Sequence, residues 1–347
     1  MRVMAAPALR PASQAVWAGV ARLVDRADSA LDLKMQGIHL LAARRWRELG
    51  AEVPRAFVED ELRASVMSLA GYGLLRRVRD SCEGNLLVLK GPEVAAYYPD
   101  PALRSFVDVD LLVPDAQRTQ RELMAAGFIE VGDPELFVDI HHLRPLVLPT
   151  IPIAIEVHDR PKWPEGMATP PTGELFDAAV DSVTGVDGVL GLPPAHHALV
   201  VAAHSWAHFP LYRLKDIVDV AALSDGVPRS ELDDLARSWS LDRVWQTTAA
   251  AMDALLNEGD TPLPLRLWAR HLPRVRERTV LEQHLMRLLS PFWAAEPRTA
   301  TVQAARALAA EFRARPGEAR REKLARSVSA VLRPGSRLTD RESDRRV

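Results

Sequence analysis

The sequence has a single cysteine, Cys82, in 347 residues, so it can form neither an intramolecular disulfide nor a cysteine-rich zinc site; a reducing compartment fits best. Long apolar runs are also missing. The best stretch, Ala198 to Ala203, is bounded by His196, His197 and His204 and falls far short of the roughly 18 residues of a membrane span. No membrane association is expected. A signal peptide is not expected either, because Pro7, Arg10, Pro11, Ser13 and Gln14 interrupt the Ala-rich start. Charge of one sign is lacking: 44 Lys and Arg face 46 Asp and Glu, so no global field draws the chain to nucleic acid or to an anionic surface. A cytoplasmic protein is the expectation. Aromatic residues make up only 6% of the chain, and Trp206, Trp239, Trp245 and Trp268 fall in helical segments where core packing is expected rather than base stacking.

What remains is an ordinary globular composition, 48% hydrophobic and 26% charged, in a chain long enough for two domains or one large domain with attached helices. Helical periodicity runs from Ala12 to about Arg79, with Val16, Val20 and Leu23 at spacings of four and three, and predicts three helices. The pattern changes after Asp80. Leu86 to Leu89 reads as a buried strand. Phe106 to Val113 reads as a second, with Val107, Val109, Leu111 and Val113 on one face and Asp108 and Asp110 on the other. A helix over Gln117 to Ala126 stops at Gly127. Strands follow around Phe128 to Val131, Leu136 to Leu148 and Ile151 to His158. In the last of these, Ile151, Ile153, Ile155 and Val157 share the core face, which leaves Glu156 and His158 on the open one. Beyond the prolines between 161 and 171, Leu192-Pro193-Pro194 opens a helical half reaching about Phe312, with breaks near 226 to 228 and 259 to 264.

The expected fold class is therefore α+β: a small mixed-sheet core flanked by N-terminal helices and a C-terminal helical domain. The boundaries are a helical region over 1–80, an α/β core over 81–190, a helical domain over 191–312 and a basic, partly disordered tail over 313–347. That tail carries 11 Lys and Arg against 5 Asp and Glu and reads as a solvated amphipathic helix with a loose end rather than a nucleic-acid arm.

Chemistry concentrates between Leu89 and Val113. A strand, a turn at Lys90-Gly91-Pro92, a short helix, Tyr98-Pro99-Asp100-Pro101 with Arg104, and a strand bearing Asp108 and Asp110 follow one another. Two carboxylates on one strand face repel each other, and a divalent cation removes that cost. Their hard oxygens suit Mg²⁺ or Mn²⁺, which also bind nucleotide phosphates, and a glycine turn brings backbone N–H groups close to a phosphate. Glu156 supplies a third carboxylate. Lys90 and Arg104 are candidates for charge-assisted phosphate contacts, as is Lys215 on a later helix.

The run Lys90-Gly91 through Tyr98-Pro99-Asp100-Pro101, Arg104 and Asp108-Val109-Asp110-Leu111-Leu112-Val113 resembles the uncharacterised nucleotidyltransferase family within the polymerase-beta-like superfamily. The likeness continues through His141-His142-Leu143, Glu156-Val157-His158, His204 and Lys215-Asp216, and covers about residues 15 to 300. The resemblance implies that Gly91 contacts the triphosphate, that Asp108 and Asp110 bind metal and that Glu156 completes the site. Pro92 stands where the wider superfamily has Ser or Gly, which removes a hydroxyl and a backbone donor. The implied activity is metal-dependent transfer of a nucleoside monophosphate from an NTP to an unidentified acceptor, with release of pyrophosphate.

His197, His204 and His208 lie seven and four residues apart and share a helix face, but without a full ligand set they read as a hydrogen-bonded cluster lining the cleft rather than a zinc site. His142, His158 and His204 are candidates for the substrate pocket, with His142 and Arg144 expected on one strand face. Two other readings compete: a non-catalytic domain of the same fold that binds a nucleotide or a partner, which Pro92 favours, and an Asp-x-Asp glycosyltransferase. The latter needs a nucleotide-binding βαβ region ahead of the acidic pair, where residues 1–80 read as helical.

Overall fold

The computed structural model describes residues 12–138 and 140–311, with scattered positions between 319 and 332. Apart from those positions, the tail over 313–347 lies outside the described residues, as does the start of the chain before residue 12. Where three helices are predicted before residue 80, four form: α1 (Gln14–Val24), α2 (Ala30–Met35), α3 (His39–Glu48) and α4 (Arg55–Ser81). The extra break is local. The Ser29 side chain caps α2 by accepting from the Asp32 N–H, and Gly37 then turns the chain at φ 72°, a conformation glycine adopts without strain.

The middle of the chain contains β1 (Leu86–Val88), α5 (Pro92–Ala95), β2 (Asp108–Leu112), α6 (Ala116–Ala125), β3 (Ile129–Glu130), β4 (Leu146–Leu148), β5 (Ile151–His158), α7 (Thr172–Ala178), β6 (Val180–Asp181) and β7 (Val189–Gly191). The strands make one mixed seven-stranded sheet in the order β3-β4-β5-β2-β1-β7-β6. Its two parallel pairs are β2 with β5 and β1 with β7; β1 and β2 run antiparallel. This is the α+β architecture read from the sequence. The strand predicted over Leu136 to Leu148 is mostly absent, because Pro134 starts a 3-10 turn capped by Asp133 and pairing begins only at Leu146. His142 therefore reaches the sheet through an isolated bridge to His158. Arg144 does not share a strand face with it and instead pairs with Glu130 at 2.7 Å.

Period two in β2 and β5 sorts the side chains between two layers. Val109, Leu111, Val113, Ile153, Ile155 and Val157 are buried against Leu74, Leu75 and Val78 of α4 and Leu123 of α6. Each such side chain stabilises the fold by about 1.5–3 kcal/mol. Val107, expected on that face, is 69% exposed because the strand is only entering the sheet there.

The opposite face presents Leu87, Leu89, Leu112 and Leu190 to a larger core, which also takes in Leu23, Leu33 and Leu41 from the N-terminal helices. Above it lie α8 (Pro194–His208), α9 (Leu214–Ser224), α10 (Arg229–Ser238), α11 (Asp242–Leu256), α12 (Leu263–Leu267), α13 (Val280–Leu289), α14 (Pro291–Ala294) and α15 (Pro297–Glu311). The helix breaks fall at 225–228 and 257–262, where glycine and proline predict them. Trp206, Trp239, Trp245 and Trp268 are all buried in this core. The apolar run from Ala198 to Ala203 lies wholly inside it, which explains why α8 is apolar around its circumference. Among the described residues no helix is long and apolar enough to cross a membrane.

Candidate active site

The acidic pair lies where the sheet switches from antiparallel to parallel neighbours. In the β2–β5 register Asp108 stands opposite Ala154, Asp110 opposite Glu156 and Leu112 opposite His158. Residues paired across parallel strands share a face, so Glu156 projects beside Asp110, on the side of the sheet that Asp108 also faces. The spacing predicts an open face for each of the three carboxylates, and the β2–β5 register is what sets Glu156 beside Asp110.

His158 joins them. Its Nε2 lies 3.1 Å from Asp110 Oδ1 and 3.6 Å from Glu156 Oε2, and the ring is fully buried. Burial alone would lower the His158 pKa, but the two carboxylates outweigh it and push it up to about 9. A buried imidazolium thus balances part of the local negative charge. The two aspartates respond in opposite directions. Burial would raise the Asp110 carboxyl, yet contact with His158 and the charge of Lys90 hold it well below the usual carboxylate range. Asp108 is raised, first by burial and then by the negative charges of Asp110 and Glu156. Ligand atoms of Asp110, Glu156 and His158 all lie within 4.8 Å of one another, a grouping of the described residues that leaves out Asp108 and in which a protonated His158 serves as counter-charge rather than as a metal ligand. His142 lies close by, its Nε2 3.7 Å from Glu156 Oε2.

Gly91 has φ 69° and ψ −127° at the end of the turn after β1. A Cβ there would stand 2.9 Å from the Asp108 carbonyl oxygen and 3.3 Å from Val109 Cγ2, so the turn passes directly against the strand that carries the acidic pair. Pro92 occupies the first position of α5, where a backbone N–H has no intrahelical acceptor in any case. We expect Gly91→Ala to cost about 1–3 kcal/mol of stability through backbone strain and to lower activity further by displacing Asp108. Urea unfolding combined with turnover measurements checks both effects, and a wild-type-like variant would remove the need for glycine.

Arg104, a sequence candidate for phosphate contact, is already engaged. Its Nε and Nη2 donate to Asp219 Oδ1 and Oδ2 at 2.7 and 2.8 Å, and Nη1 donates to the Gly91 carbonyl at 3.1 Å. Tyr98 Oη–H donates to the same Asp219 oxygen at 2.7 Å. Both members of the ion pair are only 2% exposed. The guanidinium therefore ties α9 to the Gly91 turn. Lys215 also acts on the backbone, donating to the Ser105 carbonyl at 2.8 Å, and burial next to Arg104 lowers its pKa to about 8.

Lys90 points elsewhere. Its Nζ donates to His204 Nε2 at 3.1 Å. One helical turn further on, His208 Nε2 accepts from Lys162 Nζ at 2.7 Å, and the two imidazoles lie 4.9 Å apart. Burial keeps both rings neutral, with His208 lowered to about 4 and His204 well below its ordinary value, so they serve as acceptors for the two ammonium groups. His197, on the same face of α8, donates from Nε2 to the Leu89 carbonyl at 2.7 Å and fixes the strand end that leads into the turn. The shared helix face predicted for His197, His204 and His208 is thus a hydrogen-bonding surface. An open cavity of about 260 Å³ adjoins it, lined by Lys90, His204, His208, Tyr212, Arg213 and Asp216. Sequence reasoning missed Lys162 and Asp219. Lys162 sits in a proline-rich connection without periodicity, and Asp219 looks like any acidic residue on an amphipathic helix.

Residues 33–257 match the model of a protein family described as uncharacterised nucleotidyltransferase. The chain belongs to this family. The match takes in the whole constellation, from Lys90 through Asp108, Asp110, Glu156 and Lys162 to Lys215 and Asp219. No curated protein and no solved structure matched the chain.

Proposed function

We propose that the protein transfers a nucleoside monophosphate from an NTP to an acceptor oxygen and releases pyrophosphate. The observation that carries this reading is the parallel register that sets Glu156 beside Asp110 on the face shared with Asp108. The residues fit a hard divalent cation, Mg²⁺ or Mn²⁺: the donors are carboxylate oxygens, and Asp110 Oδ2 is buried without a hydrogen-bond donor. Asp108, Asp110 and Glu156 would hold it, and a bound cation there neutralises phosphate charge and stabilises the leaving group. The Glu156 side chain, 22% exposed against 3% for Asp110, is the carboxylate an acceptor hydroxyl meets first, which suits it to take the acceptor's proton. Lys90 and Lys162, each directed by a neutral histidine, supply positive charge for the phosphates in place of the hydroxyl that Pro92 lacks. In this reading Arg104 and Lys215 position the Gly91 turn and the start of β2, and His142, His158 and His204 border the pocket.

Lys162→Ala should then weaken NTP affinity about tenfold, the value of one charge-assisted contact. Calorimetric titration in the presence of Mg²⁺ checks this, and an unchanged Kd would move the phosphates away from α8. The decisive experiment titrates each NTP with and without Mg²⁺ and then follows pyrophosphate release with candidate acceptors. Glu156→Gln should slow release far more than it weakens binding. Cation-dependent binding without release from any acceptor would favour the non-catalytic alternative, for which Pro92 at the start of α5 is the specific observation. The glycosyltransferase reading is the weaker one, since among the described residues the only strand before the acidic one, β1, pairs with it antiparallel and no βαβ unit precedes it.

A further inference from the structure

The outer face of α4 carries large apolar side chains that stand exposed among the described residues. Val58, Leu62, Val66 and Leu69 are 45%, 70%, 57% and 76% exposed, while the inner face of the same helix fills the sheet core with Leu74, Leu75 and Val78. The four exposed residues follow spacings of four, four and three, so they form a single stripe of the kind that pairs helices. An uncovered stripe of this kind on a soluble protein marks an interaction surface. One turn beyond Leu69 the stripe reaches Gly73, which is exposed and has open space where a Cβ would stand. Glycine weakens a helix interior, and here it relieves no contact with the other described residues.

Exposed charges flank the stripe: Arg55 and Glu59 towards the start of the helix, Arg76 and Asp80 towards its end. We propose that α4 is the interface of a two-fold homodimer, packed antiparallel against the α4 of a second copy of this chain. With the axis passing at the level of Met67 and Ser68, Leu62 enters the gap over the partner's Gly73 and Val66 meets the partner's Leu69. In the same register Glu59 meets the partner's Arg76 and Arg55 meets the partner's Asp80, and the two-fold repeats every contact. A parallel pairing would instead set Glu59 against Glu59 and Arg76 against Arg76, so the charges select the antiparallel arrangement. A knob matched to a gap and acid matched to base, all in one self-complementary register, identify a second copy as the occupant. The 27 residues of α4 give about 40 Å of helix along which the two copies meet. Exchange of the exposed Arg55–Glu59 pair for contacts across the interface costs little, because such surface pairs are weak.

Sedimentation equilibrium of the full chain at micromolar concentration is expected to give a dimer mass. Leu62→Glu and Leu69→Glu should each give a monomer with an unchanged circular dichroism spectrum, since these side chains are mostly exposed among the described residues. Glu59→Arg and Arg76→Glu should each weaken association at least tenfold, and the double variant Glu59→Arg/Arg76→Glu should restore it. A wild-type chain that stays monomeric overturns the proposal and leaves the stripe to a different protein. A Leu69→Glu variant that stays dimeric overturns it in favour of another face. Because the readout is mass, the result is independent of whether the chain transfers nucleotides.

Discussion

Asp108→Asn and Asp110→Asn should both lower nucleotidyl transfer about a thousandfold or more, corresponding to several kcal/mol of transition-state charge stabilisation, while moving stability in opposite directions. Asp108 is held above its ordinary pKa by burial and by the charges of Asp110 and Glu156, so its ionised form opposes folding at neutral pH. The neutral amide removes that repulsion, and the apoprotein should melt at the same temperature or higher. Asp110 is held below its ordinary pKa despite its burial, because His158 and Lys90 favour its charge. Its amide leaves the His158 imidazolium short of one partner, and the melting temperature should fall by the equivalent of about 1–3 kcal/mol. Pyrophosphate release and thermal melts on the two variants suffice. Wild-type turnover in both would sink the proposed metal site, and equal stability shifts would refute the assigned charge balance.

Arg104→Met should destabilise the fold by about 3–5 kcal/mol, the usual cost of leaving one member of a buried ion pair alone. The Asp219 carboxylate would then be buried with only Tyr98 donating to it. The double variant Arg104→Met/Asp219→Leu should recover most of that loss, since it strands no charge. Activity should not recover with it, because the Gly91 carbonyl loses its donor in both. Denaturant unfolding and turnover measured on the same samples separate the two effects. The pair also sets an acid limit. Arg104 offsets the effect of burial on Asp219 and holds its carboxyl below the ordinary range, so this stability is present above the unfolded carboxylate pKa and is lost as pH falls through the folded value.

The elements legible in the sequence were those whose signal is local. Period-two alternation identified Asp108, Asp110 and Glu156 as open-face carboxylates, because one face of β2 and β5 had to be apolar to cover α4 and α6. Helical spacing placed His197, His204 and His208 on one side of α8. Partners set by topology were not legible. Nothing in the sequence shows that the Arg104 guanidinium is held by a residue 115 positions later, so an engaged side chain looked available for phosphate. Likewise, His158 was placed at the pocket, but its role as the cation between two carboxylates depends on a register that only the assembled sheet defines. The missing strand over Leu136 to Leu148 has a simpler cause, since apolar residues there suggested pairing while Pro134 had already committed the chain to a turn.

The Arg104–Asp219 link also bears on the order in which the protein acquires its site during synthesis. The strand carrying the acidic pair and the turn at Gly91 emerge from the ribosome early. The donor that holds that turn stays unpaired until α9 has been made and has docked. Contacts of such sequence separation form late, after the entropy of closing a long loop has been overcome. Between the synthesis of Asp110 and that of α9, about a third of the chain, the Gly91 turn lacks the Arg104–Asp219 tie. The tie on the Gly91 turn forms late, as do the contacts that bring His204 and His208 to Lys90 and Lys162.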